Sequence, residues 1–76
     1  MELKDFIANF ADQFDDTDAS EITAATEFKN LEDWSSLVAL SVIAMVDEEY
    51  DVAISGDDIR KSETIQDLFK IVESRA

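Results

Sequence analysis

Apolar residues recur at helical spacing over residues 2–14. Leu3, Phe6, Ile7, Phe10 and Phe14 fall on one face, and Lys4, Asp5, Asn9 and Asp12 lie elsewhere, which predicts an amphipathic helix. The run Asp15-Asp16-Thr17-Asp18 ends it, because short acidic side chains compete for backbone hydrogen bonds and negative charge opposes a helix C-terminus. Residues 15–35 read as a long loop, with Ile22, Phe28, Leu31 and Trp34 expected to pin it to the core. A loop of this length inside a small domain points to function.

Residues 36–50 predict a second helix of a different kind. At about 100° per residue, Ala39, Val42, Ile43, Val46 and Tyr50 share one arc, assigned to the core. Leu37, Leu40, Ser41, Ala44 and Glu48 fall on the opposite arc, which is largely apolar until Asp47-Glu48-Glu49. A central helix buried all round would show the same composition. Full burial is hard to reach in a chain of 76 residues, so an exposed docking face is the expectation, with Leu37, Leu40, Ser41, Ala44, Asp47 and Glu48 as its residues.

Asp51-Val52-Ala53-Ile54 reads as a short extended link. Ser55 to Lys61 reads as one helical turn capped by Ser55, with basic residues at its end. Residues 65–74 predict the last helix, with Ile65, Leu68, Phe69 and Val72 as its stripe, Thr64 as cap and Asp67 at the capping-box position. The expected fold is therefore all-α: a bundle of three main helices and one short helix, forming one domain over residues 1–76.

Composition narrows the chemistry. The chain has no cysteine and no histidine, which excludes disulfides, Cys-based metal sites and a Ser–His pair. Self-contained nucleophilic catalysis is not expected. The net charge is −13, a surface that repels nucleic acid and anionic lipid and attracts basic protein patches. A hydrophobic content of 46% argues against disorder. The N-terminal residues lack a signal-peptide core and no apolar run spans a membrane, so a cytoplasmic monomer without a membrane span is the expectation.

The segment Leu31-Glu32-Asp33-Trp34-Ser35-Ser36-Leu37 sets serine at the start of a helix, where free N–H groups and the helix dipole favour phosphate. Serines in this position are mostly caps, and periodicity does not choose between a cap and a phosphate carrier.

The chain resembles the acyl carrier protein family from end to end. That family attaches its prosthetic group in an Asp-Ser-Leu motif at the start of the second helix, often after an aromatic residue; here the residues are Trp34-Ser35-Ser36-Leu37. Asp47-Glu48-Glu49-Tyr50-Asp51-Val52-Ala53-Ile54 resembles the family's acidic helix end and aromatic-led link, and Ser62-Glu63-Thr64-Ile65-Gln66-Asp67-Leu68 resembles its threonine-capped last helix. The resemblance implies a carrier that is not itself an enzyme, with 4′-phosphopantetheine on Ser36, which is followed directly by Leu37. It implies acyl thioesters carried for fatty-acid or related acyl biosynthesis. The implied partners are a phosphopantetheinyl transferase and acyl-loading and synthase enzymes with basic docking patches.

The chain departs from that pattern at Ser35, where the family usually has aspartate, and at Val38 and Ser41, where acids are common. These changes remove charge from the start of the docking helix and imply a specialised carrier, or partners that read apolar contacts. A carrier of amino acids or D-alanine is the alternative within the family. A purely structural acidic partner is another, predicting no covalent group on either serine. Asp16, Asp18, Ser20 and Glu27 also match positions 1, 3, 5 and 12 of a calcium loop, but Glu21 stands where its turn needs glycine and Ile22 sits one place early. A solvated acidic loop is the simpler expectation.

Overall fold

The computed structural model describes residues 2–14 and 19–76. Helix α1 spans Leu3–Ala11, α2 Ser36–Tyr50, α3 Gly56–Lys61 and α4 Ile65–Arg75, with 3₁₀ turns at Ala19–Glu21 and Phe28–Asn30. The protein is an all-helical bundle of three longer helices and one short one, with no strand among the described residues. Helix α1 packs on α2 and α4, and α3 packs on α4.

Helix α1 stops three residues short of the expected end. Gln13 and Phe14 donate to Phe10 and Ala11 at 3.1 Å, so the hydrogen bonds tighten to a three-residue spacing there. The Gln13 side chain donates to the Asn9 carbonyl at 3.0 Å, which its own backbone N–H would otherwise serve. The tight exit still buries Phe14. The acidic run at residues 15–18, expected to end the helix, lies outside the described residues.

All seven aromatic side chains, five phenylalanines, Trp34 and Tyr50, join one network. Phe69 of α4 meets Phe6 edge-on at 5.4 Å, and Phe10 meets Phe28 edge-on at 5.2 Å. Each such pair adds about 0.5–1.5 kcal/mol beyond its buried area. Phe6, Phe10 and Phe28 are fully buried, and so are Val42, Val46, Ile65, Leu68 and Val72. Ile22 and Phe28 pin the long loop as expected, and Leu31 and Trp34 pack half-buried against the core.

In α2 the buried face is rotated from the expected arc. Val42 and Val46 are buried as read, but Met45 joins them, while Ala39, Ile43 and Tyr50 are only half-buried. The Tyr50 ring packs on Phe6 at 5.7 Å, and its hydroxyl accepts from Asn9 Nδ2 at 2.9 Å. The phenol needs that polar partner and so stays at the rim. Leu37 and Leu40 are 74% and 63% exposed, so α2 is not buried all round.

Helices α3 and α4 carry complete capping boxes. The Ser55 and Thr64 side chains accept from Asp58 and Asp67 N–H, and those carboxylates accept from the cap backbone in return. Asp58 also takes a bidentate pair from Arg75 at 2.7 and 2.9 Å, and Arg75 reaches the Ala53 carbonyl at 3.2 Å. One carboxylate thus ties the start of α3 to the end of α4. The Arg75 guanidinium, followed by the Ser55 N–H, holds the Asp58 carboxyl far below the usual range. The Thr64 and Glu63 N–H groups lower that of Asp67. Buried Ser62 donates to the Asp58 carbonyl at 2.9 Å, and no buried side-chain polar atom among the described residues lacks a partner.

Candidate functional site

The start of α2 is positioned by Trp34. Its indole stacks near Phe10, with ring centroids 6.5 Å apart, and meets Phe28 edge-on at 5.0 Å; the Trp34 backbone N–H donates to the Leu31 carbonyl at 3.0 Å. The chain leaves this anchor extended, with Ser35 at φ −152° and ψ 171°. Ser35 Oγ accepts from Val38 N–H at 3.2 Å, and Ser35 C=O accepts the first helical bond from Ala39 at 2.9 Å. Ser35 is therefore the N-cap, a contact worth about 1 kcal/mol.

Ser36 is the first helical residue and is exposed. Neither its hydroxyl nor its N–H has a partner among the described residues, and the Leu37 N–H is equally open. The adjacent serines thus divide the work that the sequence left undivided: one caps, and the other presents a free hydroxyl beside two open amides.

Ser36 borders an open pocket of about 520 Å³ whose walls include Trp34, Ala39, Gly56 and Ile59, with Lys29 and Arg60 among its lining residues. Lys29 Nζ donates to the Arg60 carbonyl at 2.8 Å, joining the loop to the last turn of α3. Arg60 pairs with Asp57 at the surface. No carboxylate lines the pocket. On a chain of nineteen acids and six bases, two of the bases line this one pocket, and the acid paired with Arg60 is not among its lining residues. Such a site suits an anion attached at Ser36 and offers the hydroxyl no general base. Lys29, Gly56 and Arg60 carry no sequence signal for this role, because the fold assembles them from segments far apart in the chain.

The other residues expected at the site lie along α2. Leu37, Leu40, Ala44, Asp47 and Glu48 are exposed; Ser41 is half-buried and donates to the Leu37 carbonyl at 3.1 Å. Leu37 and Leu40 are the large exposed apolar side chains of the described residues, and both follow Ser36 closely. Of the calcium pattern, Asp16 and Asp18 lie outside the described residues, and Ser20 and Glu27 are exposed. Among the described residues no group of acids is arranged to hold a metal ion, and no helix is long and apolar enough to cross a membrane. No protein-family model matches the chain, and neither does any curated protein or solved structure compared with it.

Proposed function

We propose that this chain is an acyl carrier protein whose Ser36 hydroxyl is the attachment point for 4′-phosphopantetheine. The observation that carries the reading is the division between the two serines. Ser35 spends its side chain on the helix cap, and Ser36 stands exposed and unpartnered at the positive end of α2. The surroundings fit a phosphodiester: two open N–H groups, two cationic side chains in the adjoining pocket and no carboxylate lining it. The group supplies a terminal thiol for thioester formation, which a chain without cysteine lacks.

The part of this chain is that of a substrate. Ser36 Oγ forms the new bond to the β-phosphorus of coenzyme A, the P–O–P bridge breaks, and adenosine 3′,5′-bisphosphate leaves. The hydroxyl proton passes to the transferase, since no base of this chain lines the pocket. Leu37 and Leu40 offer an apolar seat for partner enzymes beside the attachment point, and Asp47 and Glu48 offer charge farther along the same helix. At 1.5 Å per residue, Glu48 lies roughly 18 Å from Ser36 along the axis.

The test is intact mass after coexpression with a broad-specificity phosphopantetheinyl transferase. The wild-type chain should gain one phosphopantetheinyl group, Ser35→Ala should still gain it, and Ser36→Ala should gain none. An unmodified wild-type chain overturns the reading, and a modified Ser36→Ala moves the site.

A further inference from the structure

The six basic residues of this chain are scattered along it, yet two of them, Lys29 and Arg60, line the same pocket as Ser36. They arrive by different routes. Lys29 lies in the 3₁₀ turn Phe28–Asn30, held to the core by buried Phe28, whereas Arg60 lies in the last turn of α3. The bond from Lys29 Nζ to the Arg60 carbonyl fixes the ammonium at that wall of the pocket. An ammonium has three donors, and this bond uses one. Arg60 shares its guanidinium with Asp57, which leaves other N–H groups of its five free. Capping the last turn of α3 accounts for the Lys29 bond alone. It does not account for two basic side chains lining the pocket beside Ser36, where a phosphate is proposed.

We propose that Lys29 and Arg60 are positioning residues that hold the phosphodiester attached to Ser36 in this pocket, so that the arm leaves the protein in a set direction. The proposal rests on the reading of Ser36 as the attachment residue. Gly56 lines the same pocket, and a Cβ built there meets nothing within 4 Å. A side chain at that position therefore starts from open space beside the pocket, at a helix start where negative charge is welcome. Gly56→Glu opposes the two cations and leaves the Lys29–Arg60 bond in place.

The experiment is phosphorus-31 NMR of the modified protein, with intact mass recorded on each sample. In the wild-type protein, the phosphodiester shift at low salt should differ between the folded state and the urea-unfolded state. That difference should fall at least twofold in Lys29→Gln/Arg60→Gln and in Gly56→Glu. It should also shrink in the wild-type protein as sodium chloride is raised to 1 M, where the screening length is about 3 Å. The salt series needs the wild-type protein alone, so it decides the matter even where a variant is a poor transferase substrate. A wild-type shift insensitive to both unfolding and salt overturns the clamp while leaving Ser36 as the site. Absence of any mass gain removes the carrier reading and the clamp together.

Discussion

Helix α4 begins with Thr64 and Asp67 in reciprocal hydrogen bonds, and its first two amides, Ile65 and Gln66, donate to the Thr26 and Ala24 carbonyls. Helix α2 begins with the Ser35 cap alone and leaves the Ser36 and Leu37 amides open. The other ends differ as well. Helix α4 carries Asp67 in its first turn and Arg75 in its last, in accord with the helix dipole. Helix α2 has no acid in its first turn and no base in its last, and Asp47, Glu48 and Glu49 crowd its negative end. Helix α4 buries its four main apolar side chains, whereas α2 holds two leucines out to solvent. One helix satisfies every local rule and serves the fold. The other breaks several, and the breaks cluster where a covalent group and its partners are proposed to act.

The same substitution should therefore have opposite consequences in the two helices. Leu68→Ala in α4 should cost about 2–5 kcal/mol, because Leu68 is fully buried. Leu40→Ala in α2 should stay within about 0.5 kcal/mol and instead weaken binding to a synthase or transferase. Urea titration measures the first difference and surface plasmon resonance the second. Equal destabilisation at the two positions would abolish the distinction between a packing helix and a docking helix.

Asp58→Asn tests the clamp between α3 and α4 and should cost about 1–3 kcal/mol at neutral pH. The folded carboxyl titrates lower than the unfolded one, so the unfolded chain takes up the proton first as pH falls. The stabilisation is complete above the unfolded value, about pH 4, and is lost as pH falls through the lower folded value. Asp67 acts in the same direction. Thermal melts of the wild-type protein should thus decline below about pH 4 more steeply than those of Asp58→Asn. Parallel curves would remove Asp58 from the acid limb.

Caps come next in size. Thr64→Ala and Ser35→Ala should each cost about 1 kcal/mol, whereas Ser36→Ala should change stability by less than about 0.5 kcal/mol while abolishing modification. Chemical denaturation of the three variants checks this directly, and a large loss in Ser36→Ala would make that serine structural. The smallest effect concerns the acidic end of α2. Glu48→Lys should stabilise the protein by about 0.3–1 kcal/mol through the helix dipole and slow association with a basic partner at low salt. An unchanged association rate at low salt would remove the steering role.

Much of the architecture was legible because it is local. The caps Ser55 and Thr64, the capping-box role of Asp67 and the start of α2 follow from residues three or four apart. The phase of α2 was harder to read, because a helix that is apolar on both sides gives periodicity little contrast, and Met45 was missed in that way. The end of α1 depended on whether Gln13 used its side chain or its backbone to serve Asn9. The partners Asp58 with Arg75 and Lys29 with Arg60 lie 17 and 31 residues apart. Only the folded chain brings them together, and nothing local announces them. The separate duties of Ser35 and Ser36 turn on one hydrogen bond, which two identical side chains in a row leave undecided.

Trp34 is the single tryptophan of the chain, and it stands directly before the two serines, half-buried against three phenylalanine rings. It is also a wall of the pocket beside Ser36. That makes it a natural fluorophore for the site, excitable at wavelengths where phenylalanine and tyrosine are dark. Its emission colour and quantum yield should respond to a group entering or leaving the pocket, so the proposed modification and docking can be followed by light in the unlabelled protein.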